Sequence, residues 1–305
     1  MFFWRGVRLC ISPSVALTLA LVAGACGDSD GGDPGKVQVV TTLPLFADFV
    51  REIGGERVEV TSLVPAGADP HTFEPSPSDV KKVAEADIAF ANGLDLEPSA
   101  IRLIEANLPD GAPFVKLGDY AIYEYPGGQA DPHLWMDPKM ASQYARIVRQ
   151  SLAALDRDGY ATYEANTVDY LDAIETAQAD AAMSIESVPA GNRKLVTTHD
   201  AFGRFASAFD LEIVAVVVGS PGQEPSPEDV ANLTRAIEDQ GVPAVFREPQ
   251  IDAEGRILEQ AAKDAGVRVC TLYSDSLDDK VTSYIEMMRF NADEIARCLG
   301  GDNGG

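Results

Sequence analysis

The segment at residues 74–80 reads EPSPSDV, and residues 224–230 repeat it as EPSPEDV with one change among seven positions. In each copy the serine is suited to cap a helix, the following proline suits the first helical turn, and the aspartate is favoured by the helix dipole. An apolar strand pattern follows each predicted helix, at residues 88–91 and 242–246. The repeat therefore predicts two related lobes.

Outside the repeat, apolar strand patterns alternate with helical patterns along most of the chain. The remaining predicted strands are residues 37–40, 58–60, 194–197, 211–217 and 267–272. Such alternation is typical of parallel sheets covered by helices, in which ligands bind beyond the carboxyl ends of the strands. We therefore predict an α/β fold: two related lobes with parallel-rich sheets covered by helices, joined by one long rigid helix.

A proline-free run at residues 139–188 separates the two predicted lobes. Between Tyr160 and Ile185 its apolar residues recur at helical spacing, which predicts an amphipathic helix of about 27 residues, roughly 40 Å long. An ordinary core helix or two shorter helices are the alternatives, and Gly159 marks a break before it. The predicted domains are an N-terminal lobe at 37–158, a linker helix at 159–187, a C-terminal lobe at 188–300 and a tail at 301–305.

The N-terminus has the pattern of a secretory signal, which we place at residues 1–25. Arg5 and Arg8 precede a short, interrupted apolar run, and small residues then lead to Cys26. This arrangement resembles a bacterial lipobox, in which the cysteine becomes the lipidated first residue; ordinary signal cleavage is the alternative. Residues 26–36 are rich in Gly and Asp and would form a flexible tether. We therefore expect an extracytoplasmic protein, either lipid-anchored to the cell membrane through Cys26 or periplasmic.

The chain is strongly acidic, with 24 Lys and Arg against 48 Asp and Glu and a formal net charge of −24. Loss of residues 1–25 removes Arg5 and Arg8 and no acidic residue, which changes the net charge to −26. This charge argues against binding to nucleic acid or to anionic lipid, but it identifies no ligand.

The four cysteines fall into two groups. Cys10 lies in the predicted signal peptide, and Cys26 is the predicted lipid anchor. Cys270 and Cys298 remain as an even pair in an oxidising compartment, so we expect a disulfide between them, with two buried thiols as the alternative.

Histidine occurs only three times in 305 residues, as His71, His133 and His199. Each follows an apolar or loop-forming run and none lies in a helical pattern. We hypothesise that the three converge on one metal ion. Their separations of 62 and 66 residues match no local zinc motif, and a lone histidine is more often a core or surface residue.

Six segments together resemble the metal-binding solute-binding proteins of ABC transporters, in particular the zinc-binding ZnuA-like class. They are HTFEPSPSD at 71–79, DPHLWMDP at 131–138, THDAFG at 198–203, EPSP at 224–227, EPQ at 248–250 and LYSDSL at 272–277. The resemblance covers nearly all of the chain after the tether. It implies two α/β lobes joined by a rigid helix, with a metal ion between the lobes.

The resemblance also implies one metal ligand in each of four segments, which fall here on His71, His133, His199 and Asp275. Three neutral imidazoles and one carboxylate complete a tetrahedral zinc shell. Manganese-type relatives carry a glutamate at the third place, so His199 favours Zn²⁺ as the transported ligand. The partner implied is the permease of an ABC transporter, and we expect the protein itself to be a monomer.

Two departures from the family pattern stand out. Residues 123–130 contain no histidine, whereas many zinc relatives have a histidine-rich loop there. The role of that loop is therefore missing or supplied by another protein, such as a metallochaperone. The segment after Asp275 also lacks the proline and glycine common in relatives, which makes its loop geometry harder to predict.

Other functions compete with zinc transport. A manganese-binding homologue and a surface adhesin are the nearest alternatives, and a zinc-dependent hydrolase is more distant. A hydrolase needs an open coordination position and a positioned base, and Asp275 as the fourth ligand would close the shell.

Several neighbours of the predicted ligands have two interpretations. Asp131, Asp137 and Asp200 would either hydrogen-bond ligand imidazoles or cap turns. Glu74 and Glu224 would either contact a permease or stabilise helix N-termini. Trp135 and Phe202 are expected to pack beneath the site; these two aromatic residues and the five acidic ones all lie in the segments that carry the resemblance.

Overall fold

The computed structural model describes residues 1–2, 35–121 and 131–300. The predicted signal peptide beyond residue 2, Cys26, most of the tether, the loop at 123–130 and the tail at 301–305 lie outside the described residues. Among the described helices, none is long and apolar enough to cross a membrane.

The eight strands of the described residues form two parallel sheets of four strands each. The strands are β1 (Val37–Thr41), β2 (Val58–Ser62), β3 (Ile88–Ala91), β4 (Phe114–Lys116), β5 (Lys194–His199), β6 (Glu212–Val218), β7 (Ala244–Arg247) and β8 (Arg268–Thr271). The strand order is β2-β1-β3-β4 in the first sheet and β6-β5-β7-β8 in the second. Because the two orders are the same, the prediction of two related lobes with parallel sheets is confirmed.

Helices cover the sheets and connect successive parallel strands. They are α1 (Pro44–Gly54), α2 (Pro77–Ala84), α3 (Pro98–Asn107), α4 (Leu117–Tyr120), α5 (Pro138–Leu155), α6 (Tyr160–Glu186), α7 (Gly203–Ala208), α8 (Pro227–Gln240), α9 (Asp252–Ala265) and α10 (Tyr284–Leu299). Short 3₁₀ turns link several of them.

The repeated sequence begins α2 in one lobe and α8 in the other. In both helices the N-cap serine donates its backbone N–H to the aspartate three residues later, at 2.8 Å for Ser76 and Asp79 and 2.8 Å for Ser226 and Asp229. This reciprocal capping satisfies backbone donors that the first helical turn leaves unpaired. Helix α8 has 14 residues and α2 has eight, a larger difference than the four residues predicted.

A second repeat lies at the ends of the central strands. The sequence VTT occupies residues 40–42 at the end of β1 and 196–198 at the end of β5. Thr41 donates its hydroxyl to the Leu43 carbonyl at 3.0 Å, and Thr197 donates to the His199 carbonyl at 2.9 Å. His199 therefore occupies the position in the C-terminal lobe that Leu43 occupies in the N-terminal lobe.

Helix α6 is the predicted long helix, with 27 residues. It packs against α1, α5 and α10, so it contacts helices that belong to both lobes. One cluster of buried apolar residues runs from the first sheet through α6 to α10. Because this core is continuous, the limits predicted for the lobes, 37–158 and 188–300, stay predictions.

A disulfide between Cys270 and Cys298 connects β8 to the last turn of α10. The two residues are 28 positions apart in sequence. The bridge therefore joins the edge strand of the second sheet to a helix that packs on α6.

Candidate metal centre

The four predicted ligands come from four separate places along the chain. His71 lies in the loop between β2 and α2, and His133 immediately precedes the 3₁₀ turn Leu134–Met136. His199 is the last residue of β5, and Asp275 follows β8. Strand β5 is central in its sheet, and β8 is the edge strand on the far side of β7. Both ligands lie at the carboxyl ends of these strands, where parallel sheets commonly bind ligands.

Local hydrogen bonds hold the two histidines that lie in loops. The Asp69 carboxylate accepts the His71 backbone N–H at 3.1 Å, and the Asp131 carboxylate accepts the His133 backbone N–H at 2.9 Å. An aspartate two residues before a backbone N–H closes a short turn of this kind. The Asp-Pro-His sequence at both places thus orients each imidazole locally.

The structure brings all four side chains together. The Nε2 atom of His133 lies 3.4 Å from Nε2 of His71 and 3.4 Å from Nε2 of His199. The Asp275 carboxylate oxygens lie 3.6, 3.5 and 3.1 Å from Nε2 of His71, His133 and His199. In a tetrahedral zinc site with bonds of about 2.0–2.2 Å, ligand atoms are roughly 3.3–3.6 Å apart. The observed separations match that spacing closely.

Burial makes this cluster costly unless a cation joins it. The side chains of His199 and Asp275 are 0% exposed, and that of His71 is 9% exposed. Among the described residues, neither Asp275 oxygen has a partner in hydrogen-bonding geometry, although His199 lies close. A buried carboxylate is destabilising unless a positive charge accompanies it, and either a bound metal ion or protonated imidazole supplies that charge.

Mutual electrostatics shift the pKa values of two of these groups. Burial acts to lower the pKa of His199, but the charges of Glu248 and Asp275 outweigh it and hold this pKa well above the ordinary 6.5. Burial acts to raise the pKa of Asp275, but the imidazoles of His133 and His199 hold it well below 3.8. Without a cation, the site therefore holds a proton in the place of positive charge.

The outward nitrogens of the three imidazoles have different partners. Nδ1 of His133 lies 3.0 Å from Asp131, and Nδ1 of His199 lies 2.9 Å from Glu248. Nδ1 of His71 has only the Ser220 hydroxyl, at 3.4 Å. All three Nε2 atoms consequently point inward, which is the arrangement that metal-binding histidines show when a second residue fixes their tautomer.

Of the three aspartates with two interpretations, only Asp131 has a hydrogen bond to a ligand imidazole. Asp137 caps α5 by accepting the Lys139 backbone N–H at 2.9 Å. Asp200 lies beside the site and lines the cavity next to it. Glu248, which contacts His199, belongs to the segment at 248–250 that carries the resemblance, but no role for it was predicted from the sequence. Its place directly after β7, the neighbour of β5, is the signal for that role.

Aromatic packing closes the inner side of the centre. Trp135 is fully buried, with its ring edge-on to His133 at 5.6 Å, and Phe202 is 1% exposed. The Trp135 indole N–H donates to the Ser274 carbonyl at 3.0 Å, which links the His133 segment to the Asp275 segment. The expected packing against the site is present for Trp135, and Phe202 is buried as expected.

A cavity of about 640 Å³ adjoins the outer side of the centre. His71 and His133 line it together with Asp95, Asp200 and Arg204. His71 is the most exposed of the four candidate ligands. The cavity is therefore the open side of an otherwise buried site.

One other group of ligand-type side chains occurs among the described residues, formed by Cys270, Glu294 and Cys298. Its two sulfur atoms are joined in the disulfide and do not titrate. The disulfide therefore explains why these side chains lie close together.

The family model for the periplasmic zinc-uptake complex component A, ZnuA, matches residues 39–298. The chain belongs to this family. Its match runs from β1 to the last turn of α10, so it includes both lobes and all four converging side chains.

Relatives and solved structures agree with that assignment. The chain is 31% identical over 299 residues to the metal ABC transporter substrate-binding lipoprotein FimA of Streptococcus parasanguinis, covering 93% of this chain and 96% of the relative. It is 29% identical to the manganese ABC transporter substrate-binding lipoprotein PsaA of Streptococcus pneumoniae, covering 93% and 96%. The periplasmic zinc-binding protein TroA of Treponema pallidum has a similar structure, with a TM-score of 0.80, 29% identity and coverage of 87% and 99%.

Membership of the ZnuA family defines the general role of the chain. It is a metal-binding, substrate-binding component of an ABC transporter and acts outside the cytoplasm with a permease as its partner. It is a binding protein rather than an enzyme.

Proposed function

We propose that this ZnuA-family protein binds one Zn²⁺ through His71, His133, His199 and Asp275 and delivers it to its permease. The observation that carries the proposal is the convergence of three Nε2 atoms and a buried carboxylate at the spacing of a tetrahedral shell. The metal ion is the transported substrate, so the protein must bind it outside the cytoplasm and release it at the permease.

The donor set supports zinc over harder ions. Imidazole nitrogen suits Zn²⁺, whereas Mn²⁺ prefers sites richer in carboxylate, carbonyl and water oxygen. This centre offers three nitrogens and one carboxylate. The zinc-binding TroA structure gives further support.

Manganese is the second candidate cargo. The names of several relatives, including PsaA, specify manganese, and the name of FimA specifies only a metal. Overall similarity therefore does not separate the two ions, and the argument for zinc depends on the donors of this chain.

We further propose that the mature chain begins at a lipidated Cys26, that residues 26–36 tether it to the membrane, and that it acts as a monomer. The lipobox-like sequence and the Gly- and Asp-rich composition support the anchor. A metallochaperone would take the place of the histidine-rich loop that residues 123–130 lack. Cys26→Ala is expected to release the protein from the membrane fraction, and retention there would contradict the anchor.

Metal analysis tests the central proposal. The purified protein is expected to contain one zinc ion per chain and to bind Zn²⁺ more tightly than Mn²⁺ in competition titrations. His133→Ala and Asp275→Ala are expected to weaken zinc binding strongly, because each leaves the shell incomplete. Zinc-dependent stimulation of permease ATPase activity would separate transport from adhesion. Tighter binding of Mn²⁺ would replace zinc with manganese as the cargo.

A further inference from the structure

We infer that Glu248 is a positioning residue for metal binding, because it fixes the His199 imidazole and the segment that carries Asp275 at the same time. The inference rests on the proposed function, since it assigns a role within the same site. Glu248 is 0% exposed and lies directly after β7.

The contact with His199 determines which ring nitrogen faces the metal. The two Glu248 carboxylate oxygens lie 2.9 and 3.0 Å from Nδ1 of His199. A carboxylate oxygen accepts a hydrogen bond from Nδ1, so in the neutral ring that binds a metal ion the lone pair is on Nε2, which faces the other ligands. Such a partner also increases the basicity of the ligand nitrogen, which strengthens its bond to a metal ion.

The same carboxylate also holds the neighbouring segment. The Ser274 hydroxyl donates to Glu248, and the Gln250 side-chain amide donates to the Ser274 oxygen at 3.0 Å. Ser274 immediately precedes Asp275, so Glu248 connects the end of β5 to the loop after β8 across β7. The result is the 3.1 Å approach of His199 Nε2 to the Asp275 carboxylate.

The partners of the other two histidines are more exposed or uncharged, although His133 also contacts a carboxylate, that of Asp131. Asp131 is 15% exposed and also lies 3.4 Å from the Arg204 guanidinium, which offsets its charge. The partner of His71 is the Ser220 hydroxyl, without a charge. Because electrostatic interactions strengthen where water is excluded, the buried Glu248 has the largest effect on its imidazole.

In the N-terminal lobe, the position equivalent to Glu248 is occupied by an uncharged residue, Asn92. Asn92 follows β3 as Glu248 follows β7, and the paired residues Thr41 with Phe90 and Thr197 with Phe246 align the two sheets. Asn92 donates its side-chain amide to the Pro132 carbonyl at 2.9 Å, next to His133. The residue after β3 and the residue after β7 therefore each bind a segment that carries a candidate ligand. The residue after β7 is a carboxylate, and the strand next to β7 is β5, which ends in His199.

Glu248→Gln tests the inference, since it removes the charge at nearly constant shape. The zinc affinity of the full mature protein, measured by competition with a chromophoric chelator, is expected to fall about 10–100-fold. Glu254→Gln is the matched control: Glu254 is 7% exposed, belongs to the same lobe and accepts the Gly222 N–H at 2.9 Å, without contact to a candidate ligand. Its zinc affinity is expected to equal that of the wild type.

A spectroscopic readout separates positioning from a general loss of structure. At saturating Co²⁺, the visible absorption spectrum of Glu248→Gln is expected to differ from that of the wild type, because loss of the carboxylate lowers the basicity of the His199 donor nitrogen. Ser274→Ala provides a second variant that keeps the pair of His199 and Glu248, and its zinc affinity is expected to fall by less than that of Glu248→Gln. Wild-type zinc affinity in Glu248→Gln, or a Co²⁺ spectrum unchanged in this variant, would overturn the inference.

The controls distinguish failure of the inference from failure of the proposed function. If the wild type binds no zinc, or if His199→Ala binds it as tightly as the wild type, the proposed function is wrong. If His199→Ala loses zinc and Glu248→Gln keeps it at wild-type affinity, only the role of Glu248 is wrong.

Discussion

At the scale of single residues, His199 is the most deeply enclosed histidine of the candidate metal centre. It is the last residue of its strand, it is fully buried, and two carboxylates flank its ring. Leu43 occupies the equivalent position in the other lobe, so the repeat supplies the backbone and a single side chain supplies the ligand. Changes at this residue are therefore expected to alter the choice of metal without altering the fold.

His199→Glu is expected to shift the preference of the site from Zn²⁺ toward Mn²⁺. The change replaces an imidazole with a second carboxylate, and oxygen donors suit the harder ion. Competition titrations with both metals measure the ratio of the two dissociation constants. His199→Gln is the control, since it removes the imidazole without adding charge and is expected to weaken zinc without favouring manganese. An unchanged ratio in His199→Glu would show that His199 is not a metal ligand.

Zinc affinity is expected to fall as the pH falls. The raised pKa of His199 means that its ring is protonated in the metal-free protein at pH near 7, so zinc must displace a proton. The decline begins above the ordinary histidine pKa of 6.5 and continues below it. Calorimetry in buffers of different ionisation enthalpy is expected to detect about one proton released per zinc near pH 7. An affinity that stays constant from about pH 8 to 5.5 would contradict three imidazole ligands.

The same shifts act on the stability of the metal-free protein with opposite signs. Because its folded-state pKa is raised, His199 contributes stability below 6.5 that is lost as the pH rises through the folded value. Asp275 has a lowered folded-state pKa, so its contribution is present above 3.8 and is lost as the pH falls through the folded value. The pair therefore favours the metal-free fold between these limits, and zinc takes over that role at higher pH.

At the scale of elements, α6 determines how rigidly the lobes are joined. Its buried face contacts α1, α5 and α10, whereas Val168 and Met183 on other faces are 51% and 65% exposed. A helix with this much buried contact cannot bend without breaking core packing. The expectation of a rigid connection thus has a packing basis.

Ile174→Ala is expected to destabilise the protein by about 2–5 kcal/mol, because it leaves a cavity in the buried face of α6. Ile174 is 1% exposed. Urea unfolding of the metal-free protein measures the change. Val168→Ala, at a half-exposed position of the same helix, is the control and is expected to change stability by less than about 0.5 kcal/mol. Equal effects of the two substitutions would contradict the packing of α6.

At the scale of the whole molecule, one cluster of buried apolar residues joins the two lobes. The disulfide between Cys270 and Cys298 reinforces the C-terminal part of this cluster. The disulfide joins β8 to α10, and α10 packs along α6. The two lobes are therefore joined through α6 and through the helices that pack on it.

Reduction of the disulfide between Cys270 and Cys298 is expected to lower stability by about 2–4 kcal/mol, because the unfolded chain regains the freedom of the closed loop. The loop spans 28 residues. Urea unfolding with and without a dithiol reductant measures the loss. A double variant with both cysteines replaced by alanine is the control and is expected not to respond to the reductant. Equal stability of the wild type in both conditions would contradict a structural disulfide.

Sequence patterns predicted the elements that depend on local interactions. The capping serines, the helical spacing from Tyr160 to Ile185 and the apolar strand patterns each act over a few residues, and the corresponding helices and strands are present. Helix α3 and the strand β4 were not predicted. The strand has only three residues, which are too few to give a periodic signal.

The sequence by itself thus determined the repeated lobes and the long helix, and its family resemblance named the three histidines and one aspartate of the candidate metal centre. Only the tertiary structure decided that the side chains of His71, His133, His199 and Asp275 lie together, and that Glu248 contacts the outer nitrogen of His199. The reason is physical: capping and periodicity are local, whereas these side chains meet through parallel crossovers that bring the ends of distant strands to one place.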